Sequence, residues 1–172
     1  MYEKSILIIY YYMEVIYNNK SIKNNDFLRV NETQVKPEIN LSFNKSKKYL
    51  LIMYDPDAVG GTHVHWIVTN FNNNDIKNGY NLLEYKGPAP PPKTGKHRYI
   101  FELYEEPNND NIHTPIEERS ISIEDLRERL SLKDPIYKIQ FISQNESGGK
   151  RTTRKRKSKR ILRKVKKTKR KY

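Results

Sequence analysis

The sequence predicts a mainly β protein built on antiparallel sheet, with one or two short helices late in the chain and a disordered basic tail. Two observations carry this prediction. Short runs rich in Ile, Val, Tyr and Phe recur between clusters of Asn, Gly, Asp and Pro, which is the pattern of strands joined by turns. Only the stretch after Ser122 keeps the apolar spacing of a helix, with Ile123, Leu126 and Leu130 on one face.

Residues 1–12 come first, as an N-terminal extension. The apolar run 6–13 is shorter than the roughly 20 residues a membrane-spanning helix needs. It also lacks a cleavage site and any basic leader beyond Lys4, so a signal peptide is not expected. Tyr10, Tyr11 and Tyr12 are expected to pack against the sheet. The folded domain spans 13–146, and its strands are predicted at 14–17, 38–43, 49–54, 65–70 and 98–104, where β-branched and aromatic residues concentrate. Residues 72–75 and 107–111 are turns, because Asn and Asp tolerate left-handed backbone and bond their own main chain. The helix runs from 122 to about 132, with Ser122 and Asp125 in a capping-box relation.

Ser147-Gly148-Gly149 marks the end of order, and 147–172 is read as a disordered Lys/Arg-rich tail. Net charge is +13, and residues 150–172 hold 15 of the 33 Lys and Arg with no Asp or Glu, leaving 18 basic against 20 acidic side chains elsewhere. The domain is therefore near neutral, and the pI of 9.7 describes the tail. At 172 residues the chain holds one domain with a real core, and a second is not expected. Cysteine is absent, which excludes disulfides, thiolate catalysis and Cys-ligated metal and fits a reducing compartment.

The chemistry concentrates in two segments, Asp55-Pro56-Asp57-Ala58 followed by His63-Val64-His65-Trp66, and the run 87–99, which holds Pro88, Pro90-Pro91-Pro92, Gly95, His97, Arg98 and Tyr99. Positions two apart share a face of a strand. Tyr49, Leu51 and Met53 thus form an apolar face that ends in Asp55, and Tyr99, Phe101 and Leu103 form another that begins with His97. His65 opens a third strand, with Trp66 beside it as an aromatic wall. The prolines cannot join a central ladder, so they form a stiff surface loop that closes one side of a cavity. Gly95 lets the chain turn into the His97 strand.

In order and spacing, these segments resemble the phosphatidylethanolamine-binding protein family, also called Raf kinase inhibitor-like proteins. Asp55-Pro56-Asp57-Ala58 is similar to the start of that family's first signature, His65-Trp66 to its His-aromatic pair, and Gly95-Lys96-His97-Arg98-Tyr99 to its Gly-x-His-Arg signature. Tyr85-Lys86-Gly87-Pro88-Ala89-Pro90-Pro91 is similar to its proline loop, and weaker similarity runs from 15 to 141. Pro92-Lys93 replaces a Lys-Gly pair, so that turn loses flexibility. The late Gly-Asn signature is missing, so no C-terminal residue that closes the pocket is assigned.

The resemblance implies an antiparallel β-sandwich with a small pocket for a phosphate-type anion or a phospholipid head group. It implies that Asp55, His65, His97 and Tyr99 line the pocket, with Asp57 and the backbone of Ala89, Pro90 and Pro91 at the rim. Imidazole and phenol groups suit phosphate oxygens, and a carboxylate can face an ammonium or orient a histidine.

Blander readings stand beside these. Asp55 and Asp57 read alone are turn residues, and Arg98 points away from the pocket as a structural residue. His63 and His65, with His97, have a spacing that zinc accepts, but no fixed fourth ligand is evident; no metal and no cofactor are expected, and His63 is expected at the surface. A hydrolase is disfavoured because no Ser or Cys sits in a nucleophile motif.

The expected function is non-enzymatic binding, with regulation of a protein kinase or protease by docking. In the alternative, the tail dominates: Lys155, Arg156, Lys157, Lys159, Arg160, Arg163, Lys164, Lys166 and Lys167 make a nuclear-localisation signal or neutralise phosphates of nucleic acid or anionic membrane. The expected location is cytoplasmic, or nuclear through the tail.

Overall fold

Strand-forming runs and the turns between them set the architecture of the computed structural model, which describes residues 12–107 and 115–145. The strands are β1 (Tyr12–Tyr17), β2 (Lys20–Ser21), β3 (Asp26–Phe27), β4 (Glu38–Ser42), β5 (Tyr49–Asp55), β6 (His63–Phe71), β7 (Tyr80–Leu83), β8 (Lys96–Glu105) and β9 (Tyr137–Gln144), with helix α1 (Ile123–Arg129) before β9. They form a three-stranded sheet in the order β2-β1-β4 and a six-stranded sheet in the order β3-β9-β8-β5-β6-β7. Every pairing is antiparallel except the two-residue contact of β3 with β9, which is parallel.

The two sheets face each other across the main core. Met13, Val15 and Tyr17 from β1 and Ile39 and Leu41 from β4 meet Tyr49, Leu51, Met53, Trp66, Val68, Tyr99, Phe101, Leu103, Ile139 and Phe141 from the large sheet. Alternation along β1 turns Tyr12 outward, where it is 46% exposed; it does not pack against the sheet as expected, because Met13 takes the inward position. Tyr10, Tyr11, most of the 107–111 loop and the tail lie outside the described residues.

The reverse of the large sheet is also covered. Leu50, Ile52, Tyr54, Ile100 and Tyr104 pack there under Ile116, Ile123, Leu126 and Leu130, so β5 is buried on both faces and reads as an unbroken apolar run. Glu102, wholly buried on this side, accepts hydrogen bonds from Tyr54, Tyr104 and Arg127 and pairs with Lys138. Burial alone would raise its carboxyl, but the bonds from Tyr104, Arg127, Lys138 and Tyr54 outweigh it and hold the group below the usual carboxylate range.

Helix α1 is shorter than expected. Ser122 caps it by accepting the Asp125 N–H at 3.0 Å. Ser131 then takes a left-handed φ of 53°, and the last turn closes through Ser131 N–H to the Glu128 carbonyl and Leu132 N–H to the Arg127 carbonyl. Among the described residues, no helix is long and apolar enough to cross a membrane.

Strand β9 was absent from the sequence expectation, yet it places Phe141 at the centre of the core. Phe141 stacks on Tyr99 at 5.2 Å and meets Tyr17 edge-on at 5.5 Å. Phe141→Ala is expected to lower unfolding free energy by about 3–5 kcal/mol, measured by urea denaturation. A loss below about 1 kcal/mol contradicts this packing.

Candidate functional site at the rim of the large sheet

Strand register brings the polar groups together. Tyr54 pairs with Ile100 across β5 and β8, so the next residue, Asp55, comes opposite Tyr99 and diagonal to His97 on the inner face. On its other side β5 pairs with β6, where Met53 meets Trp66 but Tyr54 meets Val64. His65 is the extra residue of this β-bulge. Strict alternation would send His65 and Trp66 to opposite faces; the bulge re-aims the strand so that His63, His65 and Trp66 all lie toward the inner side.

Arg119 secures the bulge. Its guanidinium donates to the carbonyls of Val64 at 3.2 Å, His65 at 3.1 Å and Glu84 at 2.8 Å, satisfying oxygens that the interrupted ladder frees. The segment after β7 runs alongside, with Lys86 N–H donating to the His65 carbonyl at 2.9 Å. Its Gly87 lies so close to the 3-10 turn at Val30–Thr33 that a Cβ would come within 2.9 Å of the Thr33 carbonyl. Gln34 donates to the Pro88 carbonyl at 2.8 Å, so the proline segment is tied at its start.

The result is a cavity of about 200 Å³ lined by Asp55, His63, His65, His97 and Tyr99, by Ala58 and Val59, and by Lys86, Gly87, Ala89, Pro90 and Pro91. Asp55 and His97 form its buried centre, with His97 Nδ1 and Asp55 Oδ2 2.7 Å apart and side chains 1% and 4% exposed. Asp55 Oδ1 accepts the Asp57 N–H at 2.8 Å. His65 and Tyr99 stand edge to face at 5.2 Å, as do His63 and His65 at 4.9 Å.

Thr94 completes a hydroxyl–imidazole–carboxylate chain. Its Oγ1 lies 2.7 Å from His97 Nε2 and donates to the Pro91 carbonyl at 2.8 Å. A carbonyl only accepts, so the one hydroxyl hydrogen is committed to Pro91, and Thr94 receives a hydrogen from His97. Both His97 nitrogens are thus engaged, one with Thr94 and one with Asp55. This bonding order runs opposite to that of a catalytic triad, in which the hydroxyl gives its proton to the ring.

Electrostatics follow burial. Burial holds the His65 imidazole down at about 4, opposed by its bond to the Lys86 carbonyl and helped by nearby His63, Arg119 and Lys86. Burial also lowers His63, with Lys86 and Arg119 adding to the effect. Tyr99 is pushed well above its ordinary value by burial, then by the Asp55 charge and a bond to that carboxylate.

Of the residues expected at the site, Asp55, His65, Ala89, Pro90, Pro91, His97 and Tyr99 all line the one cavity. Asp57 lies outside the lining: its carboxylate takes Arg98 Nε at 2.8 Å, Arg98 Nη2 at 2.7 Å and the Arg98 N–H at 3.0 Å. Only its backbone reaches the site, through Asp55. The outward, structural place expected for Arg98 follows from the same pairing. His63, expected at the surface, is half-buried and lines the cavity, because the bulge turns it inward. Among the described residues, no group of three His, Asp or Glu is arranged to hold a metal ion.

Thr94, Lys86 and Arg119 were not singled out from sequence. Lys86 lay within the proline-loop motif and Thr94 within the run 87–99, whereas Arg119 carried no local signal. Lys93 holds a φ of 70° and Gly95 one of 90°; the lysine bears the left-handed turn where the resembled pattern has glycine.

Fold and cavity together define the class: a two-sheet β protein with a small polar pocket at one sheet rim, walled by a proline segment. The chain belongs to the phosphatidylethanolamine-binding protein family, whose model matches residues 17–143. It is 34% identical over 101 residues to Protein MOTHER of FT and TFL1 homolog 2 of Oryza sativa subsp. japonica, covering 55% of this chain and 57% of that protein. With Protein SELF-PRUNING of Solanum lycopersicum it shares 28% over 149 residues, 81% of this chain and 84% of that one. The chain therefore spans little more than half of the rice relative and most of the tomato one. The crystal structure of carboxypeptidase Y inhibitor complexed with the cognate proteinase superposes with a TM-score of 0.68 at 19% identity, covering 78% of this chain and 83% of that chain. At that identity the likeness is one of fold.

The low His65 value has a consequence for stability. The folded state refuses a proton that the unfolded chain, with His near 6.5, takes up. Stability is therefore lost as pH falls from about 6.5 toward 4, His65 contributing about 2–3 kcal/mol of the loss. Urea denaturation at pH 7.5 and 4.5 is expected to show a smaller acid loss in His65→Gln than in the wild type, by that amount. Equal losses contradict the assignment.

Proposed function

We propose that this chain is a non-enzymatic binding protein whose rim cavity holds a phosphate-type anion, free or as a phospholipid head group. Occupancy regulates a partner protein, a kinase or a protease, by docking. One observation supports the reading above all others: Asp55, His65, His97 and Tyr99, drawn from three strands, line a single cavity of about 200 Å³. That volume suits a head group rather than a drug-sized substrate. The pocket wall supplies Lys86, two further imidazoles beside His97 and a phenol, groups that meet phosphate oxygens.

The same bonds support a non-enzymatic role. His97 is held at both nitrogens, and the Thr94 hydroxyl beside it bonds a backbone carbonyl, so this hydroxyl–imidazole pair is not arranged as an activated nucleophile. Family membership supports binding as the activity. Isothermal titration with phosphorylethanolamine is expected to show at least a tenfold loss of affinity, about 1.4 kcal/mol, in both Asp55→Asn and His97→Gln, with folding checked by circular dichroism. Unchanged affinity in both variants removes the cavity from the account.

The basic segment after residue 150 supports a second, independent contact with a polyanion, nucleic acid or anionic membrane. Such binding depends on counterion release and carries no sequence specificity. The full chain is expected to bind duplex DNA with an affinity that falls steeply between 50 and 200 mM salt, about tenfold or more. Replacing Lys155, Arg156, Lys157, Lys159 and Arg160 with Gln is expected to flatten that slope. A slope unchanged by the five substitutions contradicts the tail's role.

A further inference from the structure

The small sheet ends at β4 in an open edge. The Val15 carbonyl accepts the Ile22 N–H at 2.9 Å, so the main-chain groups of Val15 point toward β2. Ile39, opposite Val15 across β1 and β4, therefore belongs to a pair without mutual hydrogen bonds, and its own N–H and C=O point away from β1. Alternation sends those of Leu41 the same way. Phe43, next in that series, shows what the edge accepts: the Asn74 side-chain amide takes its N–H at 2.9 Å and donates to its carbonyl at 3.2 Å, as a neighbouring strand would. Among the described residues, the main-chain groups of Ile39 and Leu41 have no hydrogen-bond partner.

Beside this edge lies a groove of about 430 Å³. Strands β6 and β7 carry the large sheet past β4, so Trp66 and Val68 form an apolar floor with Ile76, and the 3-10 turn Ile76–Asn78 stands on the far side. Antiparallel pairing with β4 of a second copy would put both large sheets on one side, where the overhanging strands collide. A single extended chain meets no such obstacle. Lys36 and Lys77 border the groove, with Lys36 Nζ 5.6 Å from the Trp66 ring centroid. Of the two carboxylates there, Asp75 accepts the Lys77 N–H at 2.9 Å to cap the turn, and Glu38 alternates with Ile39 to the outer face of β4. The charge offered to an occupant is therefore positive.

We propose that this groove binds an extended acidic peptide of a partner protein, which adds to β4 as an antiparallel fourth strand of the small sheet. Main-chain pairing with Ile39 and Leu41 supplies affinity. Alternate apolar side chains meet Trp66, Val68 and Ile76, and a carboxylate at the end of the segment meets Lys36. The groove is separate from the rim cavity: Trp66 lines the one and its neighbour His65 the other. The inference therefore stands independently of the anion-binding reading.

The test is fluorescence titration of the full chain, whose sole tryptophan is Trp66, with the peptide acetyl-Glu-Thr-Val-Thr-Val-Thr-Glu-amide. In an antiparallel pair, the peptide residues that bond Ile39 and Leu41 share their inward face, so the valines carry the pairing. Methylating the valine nitrogens is expected to weaken binding about tenfold or more, the worth of two hydrogen bonds. Methylating the threonine nitrogens, which point to solvent, is expected to leave it nearly unchanged. Exchanging the glutamates for lysines is expected to weaken binding to the wild type, and Lys36→Glu, a change at an exposed side chain, is expected to reverse that preference.

Equal affinity of the two methylated peptides, or a preference in the other direction, overturns the inference and leaves the anion site standing. The same holds if the wild type and Lys36→Glu share one charge preference. Competition by phosphorylethanolamine overturns it by placing the peptide in the rim cavity. Absence of peptide binding overturns it as well, with sedimentation then naming the edge's occupant: a second copy if the chain is a dimer, residues 1–11 if it is a monomer.

Discussion

The buried pairing of Asp55 with His97 is the interaction on which the rest of the site depends. Two ionisable groups almost wholly removed from water are costly unless each is fully bonded. Here the surrounding structure supplies those bonds. The Asp57 amide takes the second carboxylate oxygen, and the Thr94 hydroxyl takes the second imidazole nitrogen. Asp57 is in turn fixed by Arg98, and Thr94 by the Pro91 carbonyl. The residues after β5 and before β8 are thus organised around one short contact between adjacent strands.

The second constraint is the bulge at His65. A regular β6 would alternate its side chains and place either Trp66 in the core or His65 at the cavity, but not both. The extra residue resolves this, and Arg119 bonds the displaced carbonyls. The same arrangement fixes the tautomer of His65 through the Lys86 carbonyl. Backbone geometry, rather than any additional charged residue, decides which nitrogen of that histidine carries the hydrogen.

Much of this was legible in the sequence, for physical reasons. Strands β1, β4, β5, β6 and β8 carry β-branched and aromatic runs bounded by Asn, Gly and Pro, and period-two alternation alone placed Asp55, His97 and Tyr99 at the ends of inward apolar faces. The proline run could only be a wall. Strand β9 alternates regularly from Tyr137 to Phe141, with Lys138 and Gln140 on the outer side, and the pattern breaks only where Ile142 turns outward and Ser143 inward. The inward turn of His63 was hidden because a bulge depends on the partner strand. Asp57 looked equivalent to Asp55, but whether it faces the cavity or Arg98 is settled by a turn that sequence spacing does not describe. Thr94 acts through His97 within its own run, whereas Arg119 acts through carbonyls 35 to 55 positions away, and no local pattern marks it.

A crystal of this protein soaked in inorganic phosphate tests the central claim most directly. The account predicts tetrahedral density inside the cavity lined by His65, Lys86 and Tyr99, with Asp55 and His97 still paired beside it. Phosphate bound elsewhere while the cavity is filled by side chains, or Asp55 and His97 found apart, would contradict it.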